Sequence, residues 1–196
     1  MRSVATIVEG DGEVQALPVL LRRLGEWLTP DQYVHVASPI RVHRDRFLNK
    51  EDEFRRHVLL AAAKAGEDGW ILIVLDADDD CPSELGETLR QRTQDIAPHR
   101  KISVVLANRE YEGWFLAACK SLDGHRTFVW QDDDTFDPEA IRDAKGWMQR
   151  NMTGGKYREI IDQPAFSAII DLARAQERSR SFRKLCKEWL LQAGQG

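Results

Sequence analysis

The sequence predicts an α/β fold, a Rossmann-like sheet of about four parallel strands with helices on both faces and a C-terminal helical extension. Three observations predict it: four short apolar or β-branched runs, helical periodicity between them, and acidic residues standing directly after two of the runs. Strand and helix alternate four times, and that order favours parallel strands joined by right-handed crossovers.

The strand candidates are SVATIV (3–8), QYVHVAS (32–38), WILIVL (70–75) and ISVVLA (102–107). Val14, Leu17, Leu20, Leu21, Leu24 and Leu28 mark a first helix, and Phe54, Val58, Leu59 and Ala62 a second. Pro18 cannot donate to residue 14, so it is expected to kink or delay the first helix. Further helices are expected from Ser83 to about Ile96 and from Glu112 to about Lys120. Trp114 and Phe115 open an apolar helical run and read as core. Beyond residue 120 strand signals fade. DPEAIRDAKGWMQR begins with Asp137 as a cap and Pro138 in the first turn, and the remainder reads as helical to about Leu191. The division expected is 1–122 for the α/β domain and 123–196 for a helical extension packed on it.

The 196 residues suffice for one domain with a real core plus such an appendage. Net charge is -4 but unevenly spread: residues 1–140 carry 17 Lys/Arg against 26 Asp/Glu, and residues 141–196 carry 11 against 6, so the C-terminal part is basic. Cys81, Cys119 and Cys186 have neither disulfide-framework nor C-x-x-C spacing, and the start lacks a charged leader followed by a long apolar run. A cytoplasmic setting is expected. No apolar run approaches the eighteen residues that cross a bilayer.

In an open parallel sheet, ligands bind outside the carboxyl ends of the strands, near the switch in strand order. The acids gather there. Glu9 closes the first strand with Glu13 four residues on; Asp76 and Asp78 close the third, trailed by Asp79 and Asp80; Glu110 and Glu112 follow the fourth. In the usual 2-1-3-4 order these side chains converge, and two like charges at 4 Å repel by roughly 4 kcal/mol near a protein surface. Hard oxygen ligands without clustered Cys or His select Mg2+ or Mn2+, and two ions balance six acids better than one. Paired ions of this kind clamp the attacking and leaving oxygens of a phosphodiester. A dinucleotide loop would want glycine at Gln15, and no G-x-x-x-x-G-K-[ST] loop occurs.

Blander readings exist for individual acids. Glu9 alone would serve as a helix-terminus acid, one of Glu110 and Glu112 as the first-turn acid of the following helix, and Asp132, Asp133 and Asp134 as a solvated loop. RVHRDRFLNK (41–50) follows the second strand at the same edge, so Arg41, His43, Arg44, Arg46 and Lys50 are candidates for contacts to a nucleic-acid backbone, against the alternative of a plain surface loop. The basic tail, including Arg174, Arg178 and Lys187, would embrace the same backbone or pair across helix turns.

E-G-x-x-E (Glu9, Gly10, Glu13) with D-x-D (Asp76, Ala77, Asp78) resembles the Toprim domain of topoisomerases, bacterial primases, ribonuclease maturases and overcoming-lysogenization-defect nucleases. NREYEGWFLAA (108–118), KYREIIDQPAFSAIIDL (156–172) and SFRKLCKEWL (181–190) further resemble domain-of-unknown-function family 4276, a Toprim-like family, along nearly the whole chain. The resemblance implies that Glu9, Glu13, Asp76 and Asp78 are direct or water-mediated metal ligands, that Glu110 and Glu112 complete the site, and that Lys156 stabilises charge at the phosphate. It also implies a separately encoded ATPase as partner. The expectation is therefore a metal-dependent nuclease or phosphodiesterase acting on DNA or RNA, with Glu9, Asp76, Asp78 and Lys156 catalytic. Its rivals are a non-catalytic nucleic-acid-binding partner of an ATPase and a receiver-like signalling domain with Asp76 as phosphoacceptor.

Overall fold

The computed structural model describes residues 1–131 and 136–194. β1 (Ser3–Val8) is buried along its whole length and lies inside a five-stranded parallel sheet. β4 (Trp70–Asp76) flanks it on one side and β5 (Lys101–Ala107) lies beyond, with Val4 opposite Trp70 and Asp76 opposite Ala107. On the other side β1 pairs with both β2 (His35–Val36) and β3 (Ile40–Arg41), so the path β2-β1-β4-β5 keeps the expected 2-1-3-4 arrangement.

The single strand expected over 32–38 is instead a short piece, His35–Val36, with a second piece, Ile40–Arg41, beyond it that ends on the first residue of the segment read as a basic loop. Pro39 explains the interruption because it has no N–H for the ladder. Pairing resumes beyond it, where the Val42 N–H donates to the Val8 carbonyl at 2.8 Å.

Strand periodicity sorts the sheet into two cores. Trp70, Leu72 and Val74 face one layer, with Val4, Val8 and Val105; Ile71, Ile73 and Leu75 face the other, with Ala5, Ile7, Val104 and Leu106. The second layer is covered by α3 (Glu51–Ala65), which follows the short α2 (Arg44–Asn49), and by α4 (Pro82–Ile96). On α3 the buried stripe is Phe54, Val58, Ala61, Ala62 and Ala65, whereas Leu59 points to solvent.

The first layer is covered by α1 (Asp11–Leu28) and by the C-terminal half. α1 runs continuously from Asp11 through Pro18, so the expected delay does not occur. Leu17, Leu20, Leu21 and Leu24 are each at most 1 % exposed. Burying each is worth about 1.5–3 kcal/mol, which together outweighs a proline penalty of about 3 kcal/mol.

The expected helix after β5 is shorter than predicted: α5 (Gly113–Ala117) passes into a 3-10 turn at Cys119–Leu122, with Trp114 and Phe115 buried as expected. Asp137 caps only a 3-10 turn, Pro138–Ala140. The helix expected there starts later because a second cap intervenes: the Asp143 carboxylate accepts the Gly146 N–H and opens α6 (Ala144–Arg150). α7 (Glu159–Ser167), α8 (Leu172–Arg178) and α9 (Arg180–Ala193) follow. α7 lies along α1, and Trp189 of α9 meets Trp70 edge to face at 5.7 Å while donating its indole N–H to Thr29 Oγ1 at 3.0 Å. The run Asp132–Asp134 lies outside the described residues. Among the described residues no helix is long and apolar enough to cross a membrane.

Candidate functional site

Parallel register carries Glu9, immediately after β1, and Asp76, the last residue of β4, to the same rim of the sheet. Glu13, one turn into α1, folds back so that its Oε2 accepts the N–H groups of Glu9 and Gly10, each at 3.0 Å. This satisfies two donors at the helix start and places a buried carboxylate beside Glu9. A Cβ on Gly10 would lie 3.1 Å from Glu13 Oε1, so the missing side chain gives Glu13 its room.

Glu112, at the turn between β5 and α5, completes the cluster and is fully buried. Its Oε1 accepts from the Tyr157 hydroxyl at 2.9 Å and from Gln163 Nε2 at 2.8 Å. Asp76, 7 % exposed, accepts the Tyr111 N–H on Oδ1 at 2.7 Å. Among the described residues, Glu9 Oε2, Glu112 Oε2 and Gln163 Oε1 are buried oxygens without a hydrogen-bond partner.

The electrostatics follow from burial among like charges. Burial, then the charges of Glu13 and Asp78, push the Glu9 carboxyl up to about 7. Burial pushes Glu112 up to about 7 as well, and burial with the charges of Glu13 and Glu112 holds Asp76 well above the usual carboxylate range.

Besides Arg44, which acts on Glu9, a cation facing this cluster is Lys145 on α6, which sequence reasoning did not single out. Burial opposes its charge, but Glu112, Asp76, Glu159 and Glu110 outweigh that and hold its ammonium above the ordinary lysine range. Its Nζ lies 3.6 Å from Glu159. Its backbone N–H donates to Glu110 Oε2 at 2.9 Å, so Glu110 ties down the start of α6 whereas Glu112 faces Asp76.

Asp78, Asp79 and Asp80 form an exposed loop latched by arginines. Arg44, its side chain only 13 % exposed, reaches Asp80 at 2.5 Å and Asp78 at 3.5 Å and donates to the Asp76 carbonyl at 3.2 Å. Arg109 and Arg142 converge on Asp79 Oδ1 at 3.4 and 3.0 Å. Asp78 and Arg109 both have left-handed backbones, φ 50° and 67°, and are joined by the Asp78 N–H to Arg109 carbonyl bond at 3.0 Å. Such strain gathers at ligand clamps and active sites.

Of the basic segment, Arg41 pairs with Asp11 at 2.9 Å and Arg46 with Glu53 at 2.5 Å, while His43 and Lys50 are exposed residues preceding α2 and α3. Arg44 is committed to the aspartate loop. Lys156 is exposed and lines an outer cavity with Arg126 and Arg158, apart from the place that Lys145 holds at the carboxylates.

A family model matches residues 8–189 and so spans the site from Glu9 to Gln163. The chain belongs to the family Domain of unknown function (DUF4276). No curated protein and no solved structure matches it. In this DUF4276 chain the donor set is all hard oxygen, with two buried carboxylate oxygens uncommitted, which fits Mg2+ or Mn2+. Among the described residues no three such groups stand in the arrangement of a preformed metal shell, so closing on an ion calls for side-chain adjustment.

Proposed function

We propose that this chain is a Toprim-like metal-dependent nuclease or phosphodiesterase acting on DNA or RNA. The observation that carries the reading is the facing of Glu9, Glu13, Asp76 and Glu112 at one sheet rim, with unpartnered buried oxygens on Glu9 and Glu112. Four buried or half-buried acids repel once ionised, so at neutral pH and above their gathering calls for a cation to balance them. Lys145 supplies one charge; a divalent ion, or a pair, supplies the rest.

Glu9, Asp76 and Glu112 would hold the first ion, and Glu13 with Asp78 would reach a second or its bound waters. Bound there, such ions neutralise charge on a phosphodiester and polarise its phosphorus towards in-line attack. The chain's own residues do the positioning. Tyr157 and Gln163 aim Glu112, the Tyr111 N–H aims Asp76, and Arg44 holds the Asp76–Asp80 loop from behind. Lys145 stands where it would offset charge that develops on the phosphate oxygens. A receiver-like role would want Asp76 open to a phosphodonor, and its burial speaks against that. An ATPase partner suits a chain with no phosphate loop of its own.

The test is cleavage of plasmid and single-stranded DNA and of RNA by the purified chain in Mn2+ or Mg2+, with a chelator control and the Asp76→Asn and Glu112→Gln variants. Cleavage lost with chelator and reduced about 100-fold or more in both variants supports the reading. Chelator-resistant cleavage, or full activity in both variants, overturns it. A chain that binds strands and Mn2+ without cutting, even beside its ATPase, makes it the binding partner instead.

A further inference from the structure

A second basic feature lies just outside the carboxylate site. A cavity of about 510 Å³ is lined by Arg126, Thr127, Gly155, Lys156, Arg158 and Asp162 among others. Its one acid is already spent: Asp162, 1 % exposed, accepts from Arg126 Nε at 3.0 Å and from the Arg158 N–H at 2.7 Å. Among the described residues the Lys156 ammonium and the Arg158 guanidinium have no partner, so the cavity keeps a net positive charge.

The chain path ties the cavity to the carboxylates. Tyr157 turns inward to donate to Glu112, so its exposed neighbours Lys156 and Arg158 project on the outer side of the same segment. Gln149 pins that segment at both ends, accepting the Tyr157 N–H at 2.9 Å and donating to the Gly155 carbonyl at 3.2 Å. The opposite wall is also held. Arg126 and Thr127 are consecutive non-glycine residues in the left-handed region, φ 52° and 66°, and the Thr127 carbonyl accepts the Thr153 N–H at 2.8 Å.

We infer that this cavity is a phosphate subsite for the nucleic-acid strand, gripping a backbone phosphate next to the one at the carboxylate rim. The inference rests on the proposed function for its ligand class. Unpaired, exposed cations on a pinned segment give sequence-independent affinity, the kind a cleaving site needs when it reads no bases.

The test is fluorescence anisotropy of a labelled single strand of about 20 nucleotides, DNA in one arm and RNA in the other, in Ca2+. The pair Lys156→Glu/Arg158→Glu is compared with Arg22→Glu/Arg55→Glu, which makes the same charge change at exposed positions elsewhere, and melting curves confirm that both fold. The first pair is expected to bind about 10-fold or more weakly, with a salt slope shallower by about 0.7 for the one lost phosphate contact. The control pair should stay within about twofold. Equal losses in both pairs, or none in the first, overturn the subsite while leaving the nuclease reading intact. A wild-type chain that binds neither strand overturns both, and divalent-ion binding by calorimetry then tells whether the metal site survives.

Discussion

Tyr157 donates its hydroxyl to Glu112 Oε1 at 2.9 Å, and through that bond a residue outside the sheet sets the orientation of a carboxylate at its rim. Gln163 shares the same oxygen, which leaves Oε2 as the free face of Glu112. Partners of this kind orient ligands and typically matter 10- to 100-fold. Tyr157→Phe should therefore weaken Mn2+ binding by about 10-fold in calorimetry with little change of fold. An unchanged affinity would separate Glu112 from the ion.

Stability should depend on pH in an unusual direction. Glu9 and Glu112 keep their protons up to about 7 in the fold but release them near 4.5 when unfolded. Between these values the folded chain binds more protons, so stability falls as pH rises. In a chelator, Tm is expected to be higher at pH 5.5 than at pH 7.5. Added Mn2+ should raise Tm most at the higher pH, where the acids are ready to bind it. A chelated protein that gains stability across this window contradicts the assignment.

Lys145→Met removes a cation that faces the cluster. At pH 7.5 the acids lose their counter-charge, and Tm should drop by several degrees. At pH 5.5 protonation relieves the same repulsion, so the drop should be smaller. A thermal melt at both pH values reads the difference directly, and equal drops would mean that Lys145 acts only by packing.

Gly12 allows α1 and α7 to touch. A Cβ there would lie 2.1 Å from Gln163 Oε1 and 3.0 Å from the Glu159 backbone carbon. Gly12→Ala should cost about 1–3 kcal/mol of stability by overpacking, and should weaken Mn2+ binding because Gln163 can no longer hold Glu112. Retention of both by this variant would show that α7 shifts freely.

Much of the fold was legible because apolar period and strand order are local or combinatorial signals. Trp70 to Leu75 alternates between two cores, as a strand covered on both faces must, and acids after the first and third strand candidates, neighbours in the usual 2-1-3-4 order, place Glu9 and Asp76 at one rim. Secondary structure failed to follow prediction where competing local chemistry lay within the segment. Pro39 split the second strand, and Asp143 started a helix expected from Asp137. Pro18 failed to break α1 because the cost of one lost bond is smaller than the burial of four leucines, which only packing reveals.

The sequence by itself determined the α/β layering and the run of acids at the strand ends, since both depend on residue type and spacing along the chain. Tertiary structure alone decided which side chains turn inward. It separated Glu112, buried against Tyr157 and Gln163, from Glu110, which holds the start of α6. It also brought Lys145 to the carboxylates and turned Arg44 to the aspartate loop. Those outcomes depend on how α6 and α7 pack against α1 and the sheet, and charge balance among residues tens of positions apart leaves no local period to read.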